Sequence, residues 1–167
     1  MKKFTPLLIL CIVFFASCSA PISVEEEEAL YTEETVGKSV NLMLSDNEEA
    51  LFAMVNNHRV SVGLPELELN KAIYNLAKSH NEFMIKEDAL SHTNFELRAN
   101  EVAKLTNATS VSENVARKYN MLSDCLEGWL ASPSHKNTIE GDFTHATLSI
   151  VQDAGGELYF TQIFYKL

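Results

Sequence analysis

The sequence predicts an α+β protein, a three-layer α–β–α sandwich with a small antiparallel sheet between helices. Three observations lead there. Four segments between residues 48 and 130 repeat apolar residues at helical spacing. Two segments near the C-terminus, 146–151 and 158–165, read as strands with apolar residues on both faces: Leu148 and Ile150 against Val151, then Leu158, Phe160 and Phe164 against Tyr159, Ile163 and Tyr165. Such strands need cover on both sides. The chain has 167 residues, 46% of them hydrophobic, which suits one core.

The first segment lies outside that core. Lys2 and Lys3 precede an apolar run from Leu7 to Phe15, and small residues follow through Ala20. This is the layout of a secretory signal, and the run is shorter than the ~20 residues a membrane span requires. Phe15-Ala16-Ser17-Cys18 resembles a bacterial lipobox, in which the cysteine is acylated and becomes the first mature residue. Phe15 stands where that motif prefers an aliphatic side chain. The expected organisation is a lipoprotein signal over 1–17, an acylated Cys18 with an acidic tether over 18–47, and a domain over 48–167. A plain signal cut after Ser17 or Ala20 is the alternative. The expected location is the bacterial cell envelope, facing periplasm or exterior, with the membrane as partner through the lipid anchor.

Charge narrows the partners. The formal charge is −10, and loss of Lys2 and Lys3 with the signal makes it −12. Seven acids against Lys38 put half of that on the tether and leave −6 on residues 48–167. A net acidic surface opposes the phosphate neutralisation that nucleic-acid binding needs, and no basic stripe or glycine-rich phosphate loop is present. No nucleic acid is expected. Cys11 falls in the signal and Cys18 at the processing site. Cys125 is left without a body partner for a disulfide. It shares a helical stripe with Leu122, Leu126 and Trp129, and is expected to be a small buried apolar residue.

The domain reads as follows. Asp46 or Asn47 caps a helix from about Glu48 to Gly63, where Pro65 blocks continuation. Asn70 caps a second helix with the stripe Ile73, Leu76, Ala77, His80 and Met84. His80 either enters a ligand cleft or is a hydrogen-bonded core histidine. Thr93 or Asn94 caps a third helix with Phe95, Ala99 and Val102 inward, and Arg98 within reach of its start. Thr109–Ala116 alternates as a short strand containing Glu113, which must face solvent or have a partner. A helix from Asn120 to Leu130 follows. Pro133 opens another with Ser132 as N-cap and His135 in the first turn, where the helix dipole disfavours imidazolium. Asp153-Ala154-Gly155-Gly156 reads as a hairpin turn.

The chemistry-bearing residues are His92, Glu113 and His135, expected to meet in one polar cleft with Asn114. Several pieces then occur in a fixed order: Asn56-Asn57-His58-Arg59, Gly63-Leu64, Ser91-His92, Arg98, Glu113-Asn114, Trp129 to Asn137, and Tyr159 to Phe164. This ordered set resembles the CAP superfamily, also called SCP-like extracellular or allergen V5/Tpx-1-related proteins, in a short bacterial form. The resemblance implies an α–β–α sandwich and a cleft with two histidines and two acids that binds a divalent metal in some members. His92 matches the first histidine, Glu113 the glutamate of the Glu-Asn motif, and His135 the second histidine. The second acid falls on Ser132, so the set is incomplete.

His92 and His135 are the expected ligands if a cation such as Zn²⁺ is bound. The function expected is a binding or interaction module at the envelope, for a lipid, small-molecule or protein ligand. The alternative is a metal-assisted hydrolase acting on peptide or another envelope substrate.

Overall fold

The computed structural model describes residues 44–167. The signal, Cys18 and nearly all of the tether lie outside the described residues. The elements in order are α1 (Asp46–Ser61), β1 (Glu68–Leu69), a 3₁₀ turn (Lys71–Ile73), α2 (Tyr74–Lys86), α3 (Phe95–Thr106), β2 (Ser110–Arg117), α4 (Leu122–Ala131), α5 (Pro133–Ile139), β3 (His145–Gln152) and β4 (Leu158–Lys166).

The α+β class holds, with helices on both faces of a four-stranded sheet of order β1-β3-β4-β2. β3–β4 and β4–β2 are antiparallel, as expected. The sheet is nevertheless mixed, because the two residues of β1 run parallel to β3. Glu68 and Leu69, between the first two helices, supply that edge.

Alternation along the strands sorts the core into two halves. Ala116, Ala146, Leu148, Phe160 and Phe164 form one face and pack against Leu51 and Val55 of α1, Cys125 and Trp129 of α4, and Ile139 of α5. Ile163, Tyr165, Val115 and Tyr159 form the other and pack against Ile73, Leu76, Ala77 and Met84 of the 3₁₀ turn and α2, and Val102 of α3.

Several boundaries differ from expectation for physical reasons. Ser45, not Asp46 or Asn47, caps α1. It accepts from Glu48 N–H while the Glu48 carboxylate accepts from Ser45 N–H, a reciprocal capping box. Glu48 is 2% exposed, and its other oxygen accepts from Tyr74 Oη and Ile150 N–H, both at 2.8 Å. The cap thus ties the entry of the chain to α2 and β3. Asn94 precedes α3 as expected but in a left-handed conformation and without a capping side-chain bond. Phe95 and Ala99 are only half-buried; the buried residues of α3 are Arg98, Glu101 and Val102. The chain leaves α1 through Gly63 at φ +84°, where a residue without Cβ is unstrained. The β3–β4 hairpin closes on Asp153, whose Oδ1 accepts from Gly155 N–H and Glu157 N–H.

Candidate functional site

β2 is an edge strand, and its alternation organises the site. Glu113 and Asn114 are adjacent and both buried, so their side chains leave opposite faces of the sheet. Glu113 faces the α2–α3 side. Asn114 faces the α4–α5 side, where its Nδ2 donates to the backbone carbonyl of His135 at 3.0 Å. One strand therefore fixes the two histidine-bearing segments from either side of its free edge.

On the Glu113 side, Arg98 forms a bidentate pair with the carboxylate, Nε to Oε2 at 2.8 Å and Nη2 to Oε1 at 2.7 Å. His92 Nδ1 lies 2.9 Å from Oε1, while its side chain keeps half its surface exposed. Burial works to raise the Glu113 pKa. The hydrogen bonds from His92 and Arg98 and the Arg98 charge outweigh it, and the net direction is downward. Glu113 is thus a buried anchor, charged at neutral pH.

His80 is resolved in favour of the core. It is 1% exposed, and its Nε2 meets the Ser91 carbonyl at 2.8 Å. Burial first, then Arg98, lowers its pKa to about 4. Its 3.8 Å approach to Glu113 is therefore not an ion pair at neutral pH.

The loop between α2 and α3 that carries His92 is held at three carbonyls. His80 reaches Ser91 O, Arg98 Nη1 donates to Thr93 O, and Arg117 Nη1 donates to Asp88 O. Arg117 also binds Asp88 Oδ1 and Glu157 Oε1 and lies over the Tyr159 ring, tying that loop to the hairpin. Sequence reasoning placed Arg98 only near the start of α3 and did not single out Arg117. The demand for a Glu113 partner was the available signal for the first; nothing marked the second.

His135 sits in the first turn of α5, half-buried. Burial, then the neighbouring His92, lowers its pKa below 6.5, so the imidazole is neutral at pH 7. Asn114 and Glu113, neighbours on β2, are what link the segments carrying His135 and His92. Ser132, in the position of the missing acid, precedes α5 without making the expected capping bond; its Oγ meets Ser134 Oγ at 3.2 Å.

A divalent metal is a poor fit for this donor set. Zn²⁺ with protein ligands takes at least three N, S or carboxylate donors plus an open position. Both Glu113 oxygens accept hydrogen bonds from Arg98. Among the described residues no group of three His, Cys, Asp or Glu side chains is arranged to hold a metal ion. The two imidazoles are what the cleft offers. Cys125 is fully buried and its thiol pKa is raised by burial, which leaves it without nucleophilic character.

The model of the cysteine-rich secretory protein (CAP) family matches residues 52–164, and the chain belongs to that family. A Bacillus subtilis (strain 168) relative, described as the uncharacterized membrane protein YlbC, is 27% identical over 124 residues, 72% of this chain. The chain spans about a third of that relative's length, 34%. Among solved structures, an outer surface protein of Borrelia burgdorferi superposes with TM-score 0.67 at 19% identity, covering 75% of this chain and 96% of that one. An SCP-domain extracellular protein of Bacillus anthracis gives TM-score 0.64 at 19% identity, covering 89% and 45%. At these identities the structures establish the fold. No helix among the described residues is long and apolar enough to cross a membrane.

Proposed function

We propose that this chain is an envelope-anchored CAP-domain lipoprotein that acts as a binding or interaction module through the cleft of His92, Glu113, Asn114 and His135. The observation carrying this is the state of Glu113. A general base needs a pKa near the working pH and a free oxygen. Glu113 is poorly suited to that role, because hydrogen bonds from His92 and the buried Arg98 fork engage its oxygens and shift its pKa downward. Glu113 and Asn114 position, and the two imidazoles meet the ligand. Any cation dependence rests on His92 and His135 with ligand or water supplying the remaining positions. Cys18 would carry the acyl chains, and the acidic tether would space the domain from the bilayer. Relatives described as an outer surface, an extracellular and a membrane protein support the envelope location.

The test screens envelope constituents (short-chain phospholipids, amino sugars and small peptides) by ligand-observed NMR against wild type and a His92→Ala/His135→Ala double variant. Zn²⁺ titration calorimetry runs beside it. At least one class is expected to bind wild type and not the folded double variant, with no product formed. Turnover by wild type that both histidine substitutions abolish would establish the metal-assisted hydrolase instead.

A further inference from the structure

The outer edge of β2 carries main-chain groups whose direction follows from the sheet. Glu68 N–H donates to Thr144 O and Asn70 N–H to Ala146 O, both at 2.9 Å. Even-numbered residues of β3 therefore turn their backbone groups toward β1, and odd-numbered ones turn toward β4. The register pairs Thr147 with Ile163 and Asn114 with Gln162. Odd residues of β4 thus bond β3, and even ones bond Ser112, Asn114 and Ala116 of β2. The N–H and C=O groups of Val111, Glu113 and Val115 are left pointing away from the sheet.

Two side-chain contacts agree with this parity. Ile150 N–H, directed off the β1 side, meets Glu48, and Val115 C=O, directed off the β2 side, meets Trp129 Nε1 at 3.2 Å. Among the described residues no hydrogen bond reaches the outward groups of Val111 or Glu113. A buried main-chain group without a partner is uncommon, and Glu113 is 6% exposed. Neither lysine nor proline blunts the accessible start of the strand, Ser110-Val111-Ser112.

We propose that this edge binds an extended polypeptide by strand addition, with the cleft histidines at its inner end. This deepens the binding reading above and rests on it. The occupant follows from complementarity of partial charge. Outward donor–acceptor pairs two residues apart repeat at about 6.8 Å, the spacing of another extended backbone. Beside the strand, on the α5 side, lies a pocket of about 440 Å³ whose lining includes Ser112, Asn137, Thr138 and Phe143. Alternate side chains of an added strand point to that side, so the pocket selects one that hydrogen-bonds. Toward Glu113 the edge continues to the segments that carry His92 and His135.

The test uses the intact, processed protein, a phage-displayed library of random peptides, three substitutions on the strand and the His92→Ala/His135→Ala double variant. Val111→Pro removes an outward N–H and no ladder bond, Ser112→Pro removes a ladder bond to β4, and Val111→Ala trims the side chain but keeps the N–H. Selected peptides are expected to bind wild type and Val111→Ala equally, and Val111→Pro at least about tenfold more weakly. Amide shifts should fall on Val111 and Glu113, and Val111→Pro should melt closer to wild type than Ser112→Pro. Failure to select any peptide overturns the proposal, as does equal affinity for Val111→Pro. Self-association that Val111→Pro abolishes, without peptide binding, overturns it in favour of a second copy. Binding lost in the His92→Ala/His135→Ala variant but kept in Val111→Pro overturns the edge and spares the cleft. Binding lost only in Val111→Pro supports the edge and removes the histidines from recognition.

Discussion

Arg98 and Glu113 meet as a fork on a carboxylate, 2.8 and 2.7 Å, with both side chains almost wholly buried. The pair sits between α3 and the edge strand, and Arg98 Nη1, outside the fork, donates to Thr93 O. Taking away one partner strands the other charge in a medium that solvates it poorly. Arg98→Ala is expected to cost about 3 to 5 kcal/mol in denaturant unfolding. Arg98→Lys should also be clearly destabilising, because an ammonium does not reproduce the fork. A loss near zero for Arg98→Ala would show that Glu113 does not depend on it.

Acid sensitivity follows chiefly from two buried groups, and half-buried His135, whose pKa is also lowered, adds to it in the same direction. His80 titrates at about 4 in the fold, against about 6.5 unfolded. Between these values the unfolded chain holds the extra proton, so stability declines as pH falls from 6.5 toward 4. The folded Glu113 pKa lies below its ordinary 4.5, so its contribution is present above that value and declines lower, as pH falls through the folded pKa. Both act in the same direction. Urea unfolding at pH 4.5 is expected to give about 2 to 3 kcal/mol less stability than at pH 7 from His80. His80→Gln should flatten the slope between pH 6.5 and 4. An unchanged slope in that variant would assign the sensitivity elsewhere.

Much of this was legible in the residues. The two-faced apolar strands required helices on both sides, and the layers are there. Glu113 in an apolar strand required either solvent or a partner, and Arg98 and His92 are the partners. The two readings of His80 could not be separated by periodicity, since a core histidine and a cleft histidine occupy the same helical stripe. The parallel β1 was illegible because two residues carry no alternation. Ser45 was missed as a cap because Asp46 and Asn47 gave the same local signal; the deciding fact is Glu48, whose carboxylate reaches a helix and a strand distant in sequence. The ordered motifs named the family, but whether the cleft binds a cation depends on how Glu113 spends its oxygens, which no motif encodes.

Glu48 is expected to matter more than an ordinary capping residue. Glu48→Ala leaves Tyr74 Oη and Ile150 N–H without their acceptor and removes the reciprocal cap. Its cost should be roughly 3 kcal/mol, against about 1 kcal/mol for Ser45→Ala. Thermal or urea unfolding of both variants measures the difference. Equal effects would reduce Glu48 to the cap alone.

Cys125 should be silent in the native protein. It is fully buried, and burial raises its thiol pKa. Iodoacetamide followed by peptide mass spectrometry is expected to label Cys125 only after denaturation. Rapid labelling under native conditions would contradict its place beneath the sheet.

Glu113 as an arginine-held anchor is read out by one pH titration of the intact protein, carbon-13 labelled at glutamate Cδ and histidine Cε1. Glu113 is expected to stay ionised down to a midpoint below 4.5, with His135 titrating below 6.5 and His80 near 4. A Glu113 midpoint raised toward neutrality would give it the character of a general base and would contradict the account.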